Sequence, residues 1–378
     1  MQAETVANLQ EKLAIPVSQS KRVYFPGLNA LRFYAAISVV IAHTSSNFGE
    51  MRTRPAHYAL LNALGLDAQS AVNLFFVLSG FLITYLLLKE QSETGTVSVR
   101  QFYVRRILRI WPLYYLIALI GFGVLPILLG PTYALWSPPA LKVVLTVFLL
   151  ANLASPLGPL QHLWSIGLEE QFYLAWPWVV RRPHSFLRVV GGILILKVVL
   201  APVVEMFNSD AITQLFLGLR FECMSIGALG AYVYFRKLAW LKLVYSPLAQ
   251  VMALVGVVAL ALVDVKLTEV MILLTSIVFI VLILNMATNE RSWLTLENPV
   301  LNKLGQMSYG IYMYHYPLLY VVIFVLRSLG VQEGGAYSLI LYATTICGTL
   351  VLATVSYRWF ETPFLQLKNR FAIIQSQR

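Results

Sequence analysis

Long apolar windows alternate along this chain with short polar segments rich in arginine and lysine. The windows Val244–Val263, Met271–Ala287 and Ser338–Ser356 are nearly free of charge, and each is long enough to cross a hydrocarbon core of about 30 Å. Apolar and polar positions do not alternate as barrel strands require. Helices, which satisfy their own backbone in lipid, are therefore the expected spanning element. The pattern predicts ten spans: Leu28–Asn47, Ala71–Leu88, Ile110–Leu129, Leu163–Val180, Leu187–Val204, Leu215–Phe235, Pro247–Val263, Thr268–Ala287, Leu304–Leu326 and Ala336–Tyr357. An eleventh stretch, Leu141–Ala151, is short and runs into the proline-rich Ser155–Pro159.

Charge decides how that stretch is read. With a cytosolic N-terminus and Leu141–Ala151 not crossing, 20 of the 28 lysines and arginines fall in cytosolic segments. The outer loops then hold Arg52, Arg54, Lys142, Lys266 and Arg327, as the positive-inside rule asks. If the stretch crossed, the basic loops from Arg181 onward would change sides. The expected fold is thus an all-α polytopic bundle of about ten spans plus one re-entrant or short helix, with both termini cytosolic.

Composition narrows the class further. Of 378 residues 58% are hydrophobic and 12% charged, against roughly 25% charged in soluble domains. The formal net charge of +11 fits loops facing a negative membrane surface better than a nucleic-acid partner. Residues 1–24 read as a cytosolic arm without a cleavable signal peptide, 25–366 as the transmembrane domain and 367–378 as a cytosolic tail. The two cysteines, Cys223 and Cys347, sit in apolar segments and suggest no disulfide framework. There is no HExxH motif, no Cys-His spacing, no P-loop and no Gly-x-Ser-x-Gly elbow, so no metal is expected.

Ionisable residues inside spans are costly and are the candidates for function. Arg32 and His43 are 11 residues apart, about three helical turns, so they share one face and are separated by roughly 16 Å along the axis. A snorkelling arginine and an interfacial histidine are the plain alternative. Arg105, Arg106 and Arg109 stand at the cytosolic mouth of the third span. Arg106 and Arg109 are one turn apart and can grip one anion, although ordinary positive-inside topology also explains them. Glu169 and Glu170 lie one and a half to two turns into a span that enters from outside, in the same outer half as His43. Adjacent residues point about 100° apart, so at most one of them faces a given partner. A carboxylate that orients an imidazole is the usual way to obtain a general base. Arg220 with Glu222 reads equally as a structural pair or a substrate contact. Tyr309, Tyr312, Tyr314 and His315 form an aromatic segment before Pro317, which frees a backbone carbonyl.

Six segments, in order, resemble the acyltransferase-3 family. They are Arg32-x10-His43, Asn73-Leu-Phe-Phe-Val-Leu-Ser-Gly-Phe-Leu-Ile83, Arg106-x-x-Arg109 with Ile-Trp-Pro, Trp164-Ser-Ile-Gly-Leu-Glu-Glu-Gln-Phe-Tyr-Leu174, Ser308-Tyr-Gly-Ile-Tyr-Met-Tyr-His-Tyr-Pro317 and Arg358-Trp-Phe-Glu-Thr-Pro-Phe364. The resemblance implies an integral membrane O-acyltransferase of extracytoplasmic glycans or glycolipids in a plasma (inner) membrane, using cytosolic acetyl-CoA or another acyl-CoA. It implies that His43 is the catalytic histidine; the shared outer half of the bilayer adds the expectation that Glu169 or Glu170 assists it. Arg106 and Arg109 would help hold the CoA phosphates, with Arg32 and Arg105 nearby, and Trp164, Arg220, Tyr309 and His315 would contact the acceptor. Asn73 stands where the family often carries an acid. No esterase-like domain follows Phe364, so a stand-alone member is expected. The rival readings are a proton-coupled transporter or exporter of a polysaccharide or acylated metabolite, and a structural scaffold within a polysaccharide synthase.

Overall fold

A computed structural model describes residues 22–46, 66–134, 139–154, 157–206, 216, 218–262, 268–332 and 334–376. The N-terminal arm before Arg22, most of the expected Glu50–Ala68 loop and the start of the sixth predicted span lie outside the described residues. What is described is helical, apart from one parallel pair of two-residue strands, β1 (Arg22–Val23) and β2 (Gln375–Ser376).

The predicted spans appear with shifted ends. Helix α1 covers Leu28–Ser46 and α2 Ala68–Thr94. Asp67 caps α2 by accepting from the backbone N–H groups of Gln69 and Ser70, and Gly95 ends it with φ +78°. Helix α3 (Val99–Leu119) continues through a π-turn at Ile120–Val124 into α4 (Leu125–Ala134). The short eleventh stretch is α5 (Ala140–Val147), followed by a 3₁₀ turn at Ala151–Leu153. Then come α6 (Leu163–Arg181), α7 (Pro183–Met206), α8 (Phe221–Phe235), α9 (Trp240–Val244), α10 (Pro247–Leu262) and α11 (Glu269–Thr288). The chain closes with α12 (Pro299–Gln306), α13 (Ser308–Ser328), α14 (Gly335–Ser356), a second π-turn at Tyr357–Glu361 and α15 (Thr362–Asn369).

Two predicted boundaries change. The sixth helix begins at Phe221, so Arg220 stands at its N-cap rather than inside it. The ninth span is two helices, broken at Met307 and preceded by Asn298, which caps α12 with Pro299 in its first turn. Six described helical runs are long and apolar enough to cross a membrane: Ala68–Thr94, Val99–Gly130, His184–Ala201, Glu269–Thr288, Ser308–Ser328 and Gly335–Asn369. Phe221–Phe235 and Pro247–Leu262 are shorter apolar helices. Helices α1 and α6 have 19 residues each and carry the charged residues on which the sequence argument turns.

Small residues set the centre of the bundle. A Cβ on Gly80 of α2 would stand 2.0 Å from the Met224 carbonyl oxygen, and one on Gly227 of α8 would stand 2.1 Å from that of Val77. Helices in lipid gain little from burying leucine against leucine, so close backbone approach supplies the packing. Gly305 of α12 meets Asn29 of α1 in the same way, at 1.9 Å from its carbonyl oxygen. Outward-facing Ile195, Val199, Leu248, Met252 and Val351 are exposed, as lipid contact allows.

Several polar ties lie at one end of the bundle. The β1–β2 pair joins the first and last described segments. Arg105 donates to the Phe371 carbonyl at 2.9 Å and to Glu90 at 3.0 Å. Glu297 accepts from the Gly27 N–H at 2.8 Å and from the Tyr24 hydroxyl. The segments around 22–27, 90–105, 297–302 and 368–376 therefore meet on one face, and these are segments that the charge count had grouped together. Elsewhere Lys197 of α7 ties three helices, 3.2 Å from Glu269 and 3.6 Å from Glu222, while donating to the Phe216 carbonyl at 2.7 Å.

Candidate active site

A cavity of about 110 Å³ opens between α1, α2, α3, α6, α13 and α15. Its lining divides by charge. Arg32, Arg106, Arg109 and Lys368 bring four cations, and Glu169 brings one carboxylate. Ser79, Ser165, Tyr173, Tyr309 and Tyr312 supply hydroxyls on otherwise apolar walls. Such a lining favours an anionic ligand.

Each cation is placed by its own helix. Arg106 and Arg109 come from the first half of α3, one turn apart as their spacing predicts. The Arg106 guanidinium lies over the rings of Phe102 and Tyr173, at 5.7 and 5.8 Å, an arrangement in which the ring faces attract the cation. Arg32 belongs to α1. Lys368 comes from α15, near the other end of the chain, and is 7% exposed. Arg105 is absent from the lining, because its guanidinium is held by Glu90 and the Phe371 carbonyl.

The two carboxylates separate as their 100° offset requires. Glu169 lines the cavity beside Ser79 and Tyr173, within electrostatic reach of Arg109. Glu170 instead accepts from Trp111 Nε1 at 2.9 Å. The hydrogen bond shown on His43 is to another imidazole: its Nδ1 lies 2.8 Å from Nε2 of His315. The two rings are near-parallel, 5.2 Å apart at their centroids.

That pair fixes its own protons. His315 Nδ1 is 2.5 Å from the Tyr312 carbonyl oxygen. A carbonyl only accepts, so Nδ1 of His315 carries the hydrogen and Nε2 of a neutral ring is the acceptor. His43 must then donate from Nδ1, which leaves the lone pair on its Nε2. A histidine presenting that lone pair, with a second ring to share the positive charge it acquires, is arranged as a general base.

The cavity and the histidines meet at Tyr312. Its hydroxyl donates to the His162 carbonyl at 2.9 Å and lies 2.7 Å from Ser165 Oγ, and its ring sits 5.5 Å from that of His315. Tyr316 packs edge-on to His43 with centroids 4.7 Å apart. His162 completes a cluster of three imidazoles, 5.3 Å from His315.

Some expected residues lie elsewhere. Tyr309 does line the cavity, with its hydroxyl anchored to the Ile110 carbonyl at 2.8 Å. Trp164 packs edge-on to Phe76 at 6.0 Å and is outside the lining. Arg220 donates to Asn73 Oδ1 at 3.0 Å and to Gln69 at 3.3 Å, while the salt bridge of Glu222 goes to Lys197. Arg220 and Glu222 thus each also reach a residue of another helix, with Arg220 still within electrostatic reach of Glu222. Asn73 earns its place as the acceptor for Arg220, a role in which an acid would form an ion pair. Sequence reasoning passed over Lys368, His162, Ser165 and Tyr316. Pro317 was the one local signal, since the carbonyl it frees is that of Met313, the residue to which His162 bonds.

Comparison with known proteins shows the family. The family model described as an acyltransferase domain matches residues 25–358. The chain belongs to the acyltransferase-3 family. It is 26% identical over 379 residues to a Staphylococcus aureus (strain COL) protein named "Putative O-acetyltransferase SACOL0978", covering 91% of this chain and 58% of that protein. It is 25% identical to O-acetyltransferase OatA of Staphylococcus aureus (strain NCTC 8325 / PS 47), covering 90% of this chain and 57% of that protein. The chain thus spans under three-fifths of these relatives' length. No solved structure matches it. Six helices able to cross a membrane among the described residues, together with the family, make this a multi-pass membrane protein.

Proposed function

We propose that this protein transfers an acyl group, acetyl first among the choices, from cytosolic acyl-CoA to a hydroxyl of an extracytoplasmic glycan or glycolipid. The observation that carries the reading is the cavity with four cations in its lining and the His43–His315 pair one ring beyond Tyr312. Arg106, Arg109, Arg32 and Lys368 hold the donor's phosphates, and the pantetheine arm runs toward Tyr312. The roughly 16 Å between Arg32 and His43 along α1 suits that extended arm. The O-acetyltransferase names of the relatives support acetyl as the group transferred.

In the transfer, His43 Nε2 takes the proton from the acceptor hydroxyl while its oxygen attacks the thioester carbon. The new C–O bond forms as the C–S bond breaks, and the CoA thiolate takes its proton back from His43. A route in which His43 first carries the acyl group uses the same residues. Glu169, in the cavity near Arg109, contributes charge balance to the donor site, and Glu170 holds Trp111 in the wall. Ten crossings with both termini cytosolic accompany this reading. The β1–β2 pair supports it by placing both described chain ends on one face.

Purified protein given acetyl-CoA and a glycan acceptor tests the proposal through release of free CoA. Release should depend on the acceptor and vanish in His43→Ala. Equal release from both proteins would remove the enzymatic reading and leave transport as its rival.

A further inference from the structure

The cavity has two unlike ends, and three helices agree on their order. Along α6, Tyr173 lies under the Arg106 guanidinium, Glu169 one turn on is within electrostatic reach of Arg109, and Ser165 and Ile166 come a turn later. Along α13, Tyr309 bonds to the carbonyl of Ile110, next to Arg109, and Tyr312 follows one turn on. Along α2, the Ser79 hydroxyl meets that of Tyr173, and Phe75, Phe76 and Val72 continue away from it. Phe75 stands edge-on to Tyr312 with ring centroids 5.9 Å apart, so the three series converge. Val72, Phe75, Phe76, Ser165, Ile166 and Tyr312 therefore form the end away from Arg106 and Arg109.

No side chain at this end can donate a hydrogen bond to a ligand. Tyr312 has one hydroxyl hydrogen and gives it to the His162 carbonyl at 2.9 Å. Ser165 Oγ is 2.7 Å from the Tyr312 hydroxyl and 3.2 Å from the same carbonyl, so its hydrogen goes to one of these two. The other four side chains are hydrocarbon. A polar group brought here would lose water without gaining a donor, whereas an alkyl group loses nothing.

One residue at this end has surface left to offer. From Ser70 to Thr84 of α2 every residue is buried except Phe75, Ser79 and Leu82. Spacings of four and three put these on one helix face, and all three line the cavity. Val72, Phe76, Ser165, Ile166 and Tyr312 are each at most 6% exposed. The Phe75 ring is thus what a ligand meets, and the wall around it is packed. A longer chain would have to displace buried side chains, which close-packed interiors resist.

We propose that the acyl group of the donor lies at this end against Phe75, and that the Phe75 ring restricts it to a short alkyl chain. This rests on the acyl-CoA reading above and adds the side chain that sets acyl length.

The test uses the full chain in detergent and three probes that cannot transfer: CoA, S-ethyl-CoA and S-hexyl-CoA, titrated calorimetrically. Wild type should bind S-hexyl-CoA about tenfold more weakly than S-ethyl-CoA, as overpacking a close-packed wall would. In Phe75→Ala the order should reverse by about tenfold, because the longer chain gains apolar burial in the space vacated. Affinity for CoA itself should not change. Phe75→Trp should weaken S-ethyl-CoA while leaving CoA unchanged. Equal binding of the two thioethers by wild type overturns the proposal whatever the variants do. An unaltered preference in Phe75→Ala overturns it too, and an equal loss of all three probes overturns it in favour of a structural role. Failure of wild type to bind CoA at all defeats the underlying donor reading, a different result from a missing size preference.

Discussion

His43 Nδ1 and His315 Nε2 lie 2.8 Å apart, joining α1 to α13 through one hydrogen bond whose direction is set by the Tyr312 carbonyl. The bond takes up Nδ1 of His43 and makes His315 answerable for the orientation of that ring. Replacing His315 with Phe should lower kcat about a hundredfold, the lower end of what positioned acid–base catalysis contributes. The KM for acyl-CoA should stay unchanged. Steady-state CoA release at saturating donor reads both quantities, and a rise in KM with kcat intact would assign His315 to binding instead.

The cationic end makes a separate prediction. Arg106→Ala and Arg109→Ala should each weaken CoA binding about tenfold, as loss of a charged hydrogen bond to phosphate would. Lys368→Met should do the same, although it lies in α15 at the far end of the chain. Titration of CoA into the purified protein measures this. Arg105→Ala should leave CoA affinity alone and lower the melting temperature, since it frees buried Glu90 and the Phe371 carbonyl.

Helix packing gives a stability prediction. Gly80→Val or Gly227→Val drives a side chain into a carbonyl oxygen that already stands 2.0 or 2.1 Å from the Cβ position. Each should cost about 3 kcal/mol or more, the upper range for overpacking. Thermal unfolding in detergent should show it. The same substitution at Gly192, where nothing lies within 4 Å of a Cβ, should change little.

Arg220 and Asn73 offer a milder test. Arg220→Met strands Asn73 and should cost about 1–3 kcal/mol, the desolvation of an unmet buried group. Asn73→Asp converts the hydrogen bond into an ion pair and should keep full CoA release, measured beside the melting temperature. A loss of turnover without loss of stability in Asn73→Asp would place this pair at the reaction rather than in the scaffold.

Much of this was legible along the chain, and the remainder has a common cause. Periodicity located the helices because apolar length is a local property. The 100° offset of Glu169 from Glu170 predicted that at most one of them faces a given partner, and of the two only Glu169 lines the cavity. The contact of His43 with His315 was not legible, because pairing across helices depends on tertiary contact, which spacing within one helix does not encode. Lys368 was counted as a tail residue for the same reason: only the fold returns α15 to the mouth of α3. The break at Met307 also escaped a hydropathy reading, since both sides of it are helical. The contacts of Arg220 with Asn73 and of Glu222 with Lys197 were likewise not legible, since both partners stand on other helices.

On the proposed route an acyl group passes from a donor at the face of Arg106, Arg109 and Lys368 to an acceptor reached from the opposite side. Proteoliposomes decide it most directly, with radiolabelled acetyl-CoA supplied only on the Arg106 face and a glycan only on the other. Label should appear on the glycan with wild type and be absent with His43→Ala. Label that never reaches the glycan, or reaches it equally with His43→Ala, would contradict the account.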